Sequence, residues 1–441
     1  MPTRQTVAAS VLAGLTLLPL AAQASPIEIL FVGNSFTHGR YDPVRTYKAG
    51  FGPNSVHDLL CPSAATCGAA EAGPQVDPAA SPPSGTLSQQ LAYLQANPSA
   101  QYNEPGPYGG VAGIFLQLTK DAGLNYDVSL IAVSSATLTG YLNNTGNEKG
   151  DRPLIESAKW DKVVLQDQSF QPLPSTITVS GNPVATRGNP ASFQKGVNGL
   201  INGIDAAAAK AGKANPAVTL FETQPLANYG YTSSNPKAPI FGTSTGPAGS
   251  IYAPYVGDTD PNAAMASDLH NAYEAVAAAY DAANPGKSHV DVALAGDAWV
   301  TAMNDNVAVS DPYLANLPSG EVDLWDSGVL DACCTTPVGY HPGPYGAYLD
   351  ALVLFDQITG ENPETLDAEF DPANPDYLDS ASYALGIAPD IAHLLAIAAA
   401  ETVVAGHPVP EPSALALLAT AAVIGGVAVR RRRTAKSDLA S

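Results

Sequence analysis

Two side chains at opposite ends of this chain, Ser35 and His341, have the types and settings that covalent chemistry needs. Ser35 stands in Ile29-Leu30-Phe31-Val32-Gly33-Asn34-Ser35-Phe36-Thr37, where an apolar β-type run ends abruptly on a Gly-Asn-Ser turn. A serine placed where a buried parallel strand stops and a helix begins lies at the carboxyl edge of a sheet. Open α/β folds put their ligand crevice at that edge, and the incoming helix N-terminus favours negative charge on a bound group. His341 stands in Tyr340-His341-Pro342-Gly343-Pro344-Tyr345-Gly346-Ala347-Tyr348-Leu349, just ahead of an apolar helix that starts at a proline. In a doubly wound sheet the end of the first strand and the start of the last helix share one rim. A serine hydroxyl is a poor nucleophile until an imidazole takes its proton, and the imidazole needs an orienting acceptor on its other nitrogen. The tetrahedral oxyanion then needs preorganised donors, each worth about 3 kcal/mol of barrier.

The elements that must position these groups alternate between strand and helix. Apolar β-type runs over 27–32, 126–133, 162–166, 218–223 and 289–294 predict five strands, and helical patterns cover 110–122, 196–213, 263–283 and 345–358. In the third of these helices Met265, Leu269, Ala272, Val276 and Tyr280 fall on one face. A further helix follows Pro389. Strands alternating with helices predict a mostly parallel sheet covered on both faces. Three stretches break the rhythm: 53–107, 172–190 and 224–260, rich in Pro, Gly and small residues, read as long irregular loops.

Around Ser35 and His341 the chain resembles the SGNH/GDSL hydrolase superfamily, over about residues 27–363. Val32-Gly33-Asn34-Ser35-Phe36-Thr37 looks like its first block, and the resemblance makes Ser35 the nucleophile. Trp160 to Ser169 resembles the third block. His341-Pro342 with Gly346 and Tyr348-Leu349 resembles the last block, which makes His341 the general base. The fold so implied is a flavodoxin-like three-layer α/β/α sandwich with a five-stranded, mostly parallel sheet and long loop insertions, and the reaction is acyl-ester hydrolysis without a cofactor or metal.

Three departures from the family pattern shape the remaining candidates. Ser135, in Ser134-Ser135-Ala136-Thr137-Leu138, replaces the glycine whose N–H joins that of Ser35 in the oxyanion hole. Its N–H serves only if the turn tolerates a side chain. The Gly-x-Asn-Asp of the third block is absent, and the side-chain amide of Gln166 or Gln168 is the available substitute. Val338 occupies the place of the usual aspartate, three residues before the histidine. Asp331, beyond Cys333-Cys334 and ahead of Asp326 and Asp323 as a candidate, either orients His341 across a looped-out insertion or leaves a serine–histidine dyad. His38 is a possible pocket-lining residue, while His57, His270, His289 and His407 read as structural or solvated.

The ends of the chain carry addresses. Residues 1–24 read as a signal peptide: Arg4 in the n-region, an apolar stretch over 7–20 and an Ala22-Gln23-Ala24 cleavage site. Near the other end Val409-Pro410-Glu411-Pro412-Ser413 precedes an uncharged apolar run, 414–429, and Arg430 to Arg433. At about 1.5 Å per residue that run just spans a hydrocarbon core of roughly 30 Å, with the arginines on the cytoplasmic side. The order closely resembles the PEP-CTERM sorting signal of Gram-negative bacteria. It implies recognition by an exosortase-type enzyme, followed by removal of the anchor or by permanent tethering. The domain scheme is therefore a signal peptide (1–24), a hydrolase-like domain (25–404, with an insertion at about 51–108), a linker (405–412), a membrane helix with its arginine block (413–433) and a cytoplasmic tail (434–441).

The chain carries 20 Lys+Arg against 41 Asp+Glu. Arg4, Arg430 to Arg433 and Lys436 lie in the terminal segments, so the exported body is more acidic still. Such a surface repels nucleic acid and anionic lipid. Four cysteines in an exported chain predict disulfides: Cys61 pairs with Cys67, leaving Cys333 and Cys334, or the first loop is cross-linked to the second. Two function classes stay open. One is an exported serine esterase or deacylase acting in the envelope or extracellular matrix, with O-acetyl groups of polysaccharide as one substrate class. The other is a non-catalytic surface or matrix protein on a degenerate scaffold.

Overall fold

The protein is described by a computed structural model that covers residues 25–64, 67, 106–143, 151–231, 253–314, 316–325 and 340–406. The expected signal peptide, Asp331, Asp326, Cys333, Cys334, His407 and the sorting tail lie outside the described residues.

Residues Ile29 to Val32 of the first strand, β1 (Ile27–Gly33), have no exposed surface at all. A strand buried on both faces needs helices on both sides, and the chain supplies them. Around β1 run β2 (His57–Asp58), β3 (Tyr126–Ala132), β4 (Lys162–Leu165), β7 (Ala217–Phe221) and β8 (Val290–Ala293), in the spatial order β2-β3-β1-β4-β7-β8. Every pairing in this sheet is parallel. The five long strands follow the order 2-1-3-4-5 of the flavodoxin-like doubly wound fold. To the five expected strands the structure adds the two-residue edge strand β2, too short to register as a pattern. It also folds part of the 172–190 stretch into an antiparallel hairpin, β5 (Thr176–Val179) and β6 (Asn182–Ala185).

Alternate strand residues feed two separate cores. Ile29, Phe31, Val128, Leu130, Val164 and Ala293 pack on one face, with α2 (Gly110–Asp121), α6 (Ala295–Asn304), α7 (Pro344–Thr359) and α8 (Pro389–Gly406). Leu30, Val32, Ile131, Val163, Leu165, Leu220 and Val292 pack on the other, with α3 (Leu138–Asn143), α4 (Pro190–Ala211) and α5 (Pro261–Ala283). The result is a three-layer α/β/α sandwich. α4 begins six residues before the expected 196 because the Asn189 side chain accepts from Ser192 N–H and Pro190 takes the first helical position. On α5 Met265, Leu269, Val276 and Tyr280 are buried as the helical pattern placed them, but Tyr273 is buried in place of the neighbouring Ala272. α8 is long and apolar enough to cross a membrane by length and composition. It nevertheless buries Ala392, Leu395, Ala396 and Ala399 in the first core.

Candidate active site

The carboxyl edge of β1 is shaped by Gly33. A Cβ at this position would lie 2.1 Å from Thr37 Oγ1 and 2.7 Å from Gln166 Oε1, so only glycine leaves room for both. Asn34 follows with extended backbone and caps the four-residue helix α1 (Ser35–His38), its side-chain oxygen accepting from Phe36 N–H. Its side-chain amide donates to Ala136 O at 3.1 Å, tying the end of β1 to the turn after β3. Ser35 therefore occupies the first helical position and is buried, with 5 % of its surface accessible.

His341 arrives at the same rim by a different route. The segment Leu324–Trp325 runs alongside the histidine loop: Gly343 N–H donates to Leu324 O at 2.8 Å, and Trp325 and Pro342 form an antiparallel bridge. A Cβ on Gly343 would lie 2.5 Å from Trp325 O, so the close approach depends on glycine. Trp325 in turn donates its indole N–H to Pro225 O, just beyond β7, at 2.9 Å. Pro344 then starts α7. The His341 ring packs against Phe36, at 5.2 Å, and Tyr340, at 5.0 Å, and these two rings also touch each other at 5.4 Å. In this position His341 Nε2 lies 2.9 Å from Ser35 Oγ.

The other sequence candidates are distributed around this pair. Ser135 sits in the turn after β3 with φ of 63°, the left-handed conformation that a glycine would adopt without strain. The amide of Gln166 is spent on the scaffold. Its Oε1 accepts from Asn34 N–H at 3.1 Å and from Thr37 Oγ1 at 2.8 Å, and its Nε2 donates to Asp167 O. Gln168 reaches the other way, donating to Tyr340 OH at 3.1 Å, and Ser169 Oγ shares a 2.6 Å hydrogen bond with the same phenol. Both glutamines thus brace the loops that carry Ser35 and His341. Asp323, a further acid candidate, accepts from Trp325 N–H at 2.9 Å. Among the described residues no group of three or more His, Cys, Asp and Glu could hold a metal ion.

Burial sets the charge state around the pair. His38 has no exposed surface and stacks on Tyr108 at 4.2 Å. Burial holds its imidazole down to about 3, with nearby Arg40 and His341 adding to the effect, so it is neutral at any working pH. Burial likewise pushes Asp167 up to about 7, against the opposing pull of the Gln168 and Leu138 N–H groups that its Oδ1 accepts. His57, His270 and His289 each pair with an aspartate: Asp127 at 3.0 Å, Asp297 at 2.7 Å and Asp281 at 2.5 Å. Cys61 and Cys67 are disulfide-bonded.

Sequence reasoning missed Asn34 and Tyr141. The Tyr141 phenol donates to Gly33 O at 2.8 Å and accepts from Val133 N–H at 2.9 Å, bridging the ends of β1 and β3. An asparagine immediately before the helix was a readable cap signal; the tyrosine had none.

A family model for the PEP-CTERM protein-sorting motif matches residues 408–433. The chain is therefore an exported protein sorted to the cell envelope, with a C-terminal segment that implies exosortase processing. None of the curated proteins matches the chain. Two solved structures are similar to it at low identity. A DUF4886 family protein from Bacteroides uniformis is 13 % identical, with a TM-score of 0.42, over 87 % of this chain and 96 % of that one. A protein from Slackia heliotrinireducens, named as a candidate SGNH hydrolase, is 16 % identical, with a TM-score of 0.33, over 76 % of this chain and 100 % of that one.

Proposed function

We propose that this protein is a serine esterase or deacylase of the SGNH type, acting on an acyl ester in the cell envelope or matrix outside a Gram-negative cell. The observation that carries the reading is the 2.9 Å contact between Ser35 Oγ and His341 Nε2, made at the carboxyl edge of a parallel sheet. That separation lies within proton-transfer reach of about 2.6–3.2 Å. As the Ser35 oxygen attacks the ester carbonyl carbon, its proton passes to His341 Nε2 and the carbonyl π pair becomes the oxyanion. Backbone N–H groups of Ser35 and Ser135 are the proposed donors to that oxyanion. Collapse breaks the bond to the alcohol, which leaves with the proton from His341. Water then attacks the acyl-serine by the same proton route, releasing the acid and restoring both side chains. Asp331 is the proposed orienter of the imidazole, reaching it across a looped-out insertion because Val338 stands at the place of the family aspartate; without it the pair works as a serine–histidine dyad. O-acetyl groups of polysaccharide are the proposed substrate class, because a sorting signal of this kind delivers the protein where such polymers lie.

Labelling with a fluorophosphonate tests the reading. Attack by Ser35 Oγ displaces fluoride and leaves a stable phosphonyl-serine, so the wild type labels while Ser35→Ala and His341→Ala do not. A folded wild type that takes up no label would leave the non-catalytic surface protein as the better account.

A further inference from the structure

We infer that His38 is a positioning residue for this site: through Ser134 it holds the turn whose Ser135 N–H faces the oxyanion. The inference rests on the hydrolase reading and adds a residue and a role to it.

Two ring contacts define what His38 does. Its Nδ1 lies 2.7 Å from Gly39 O, a group that can only accept, so Nδ1 carries the ring proton. In the neutral ring Nε2 is then an acceptor, and the Ser134 hydroxyl at 3.1 Å must donate to it. Burial keeps the ring neutral, so this direction does not reverse in acid or when His341 takes up its proton. The Ser134 side chain is thereby fixed in rotation by a group on the nucleophile's own helix, three residues from Ser35.

The turn needs such a hold. Ser135 adopts a left-handed conformation that disfavours a residue with a side chain, so the 134–135 backbone has a standing incentive to relax. Downstream, Ala136 O is held by Asn34, and upstream Val133 N–H is held by Tyr141. Between these fixed points, the His38 contact falls on the residue directly before the proposed donor. Tyr108, stacked on a face of the imidazole at 4.2 Å, limits the ring's rotation.

Steady-state kinetics with a chromogenic acetate ester, normalised to active sites titrated by the fluorophosphonate, test this on the full chain. Ser134→Ala and His38→Phe, the latter keeping an aromatic ring against Tyr108, should each lower kcat about tenfold with KM unchanged. The double variant should lose no more than the worse single one, because both changes remove one contact. A purely structural role would lower the melting temperature and leave kcat per titrated serine within twofold of wild type; that result overturns the inference. Should His38→Phe fail to fold, Ser134→Ala decides alone, since it removes a single hydroxyl from a half-buried residue. Absence of labelling in the wild type would instead sink the hydrolase reading itself, and this inference with it.

Discussion

Replacing Gln166 with leucine should separate the scaffold beneath the nucleophile from the chemistry above it. The side chain is 1 % exposed and its Oε1 serves two donors, Asn34 N–H at 3.1 Å and the Thr37 hydroxyl at 2.8 Å. Leucine fills a similar volume and accepts nothing. A buried N–H left without a partner costs about 1–3 kcal/mol, and Asn34 is itself 1 % exposed, so water offers little relief. The Thr37 hydroxyl can turn to a carbonyl four residues back in the chain and recover much of its bond. Asp167 O loses the donor that Gln166 Nε2 supplied. The expected destabilisation is about 2–4 kcal/mol in urea unfolding. Gln166→Glu should be no better at neutral pH, because it buries a charge and turns a donor toward Asp167 O into a repelling oxygen. Esterase kcat should fall along with stability in both variants as the Ser35 turn loosens. A loss below about 0.5 kcal/mol for the leucine variant would refute the claim that this amide holds the end of β1.

Ser135→Gly should stabilise the protein by about 0.5–1 kcal/mol in the same assay, because it removes the side chain from a left-handed backbone, with the gain reduced by glycine's larger unfolded-state entropy. Its esterase activity should persist, since the proposed donor is a main-chain N–H. Asp350 is fully buried, accepts from the Trp299 indole at 2.8 Å and is pushed up to about 8 by burial. The folded state therefore holds a proton that the unfolded chain releases above about 4, and the associated stability is lost as pH rises from there through about 8. Asp350→Asn keeps an acceptor for the indole and removes the titration. Its melting temperature should fall less than that of the wild type between pH 5 and pH 9, and parallel curves would contradict the assignment.

The sheet was legible because strands buried on both faces announce themselves as unbroken apolar runs, and each of the five long strands begins and ends within two residues of its expected span. The hairpin at 176–185 was not, because one side of it faces solvent and Pro183 interrupts the second strand, so its pattern reads as loop. Ser35 and His341 could be chosen because topology alone brings the end of the first strand next to the start of the last helix. The roles of Gln166 and Gln168 could not be separated from sequence. Their parity is the same, yet one side chain turns down toward Asn34 and the other across to Tyr340. That difference depends on loops meeting from distant parts of the chain, as do the Tyr141 and His38 contacts.

Those contacts share a physical logic. The polar side chains that brace the loops carrying the pair, Asn34, Thr37, Gln166, Gln168 and Tyr141, are all uncharged, and each is committed to a backbone group or to another side chain. His38, whose ring lies wholly within the core, is kept neutral by its own burial. A second buried cation would raise the cost of forming an imidazolium at His341, since like charges in a poorly solvated site repel strongly. Holding His38 neutral lets it act as a fixed dipole that braces the turn after β3 while His341 gains and returns its proton. An arginine or lysine at residue 38 would brace nothing in the same way: it has no acceptor for the Ser134 hydroxyl, and its charge would oppose the proton transfer from Ser35.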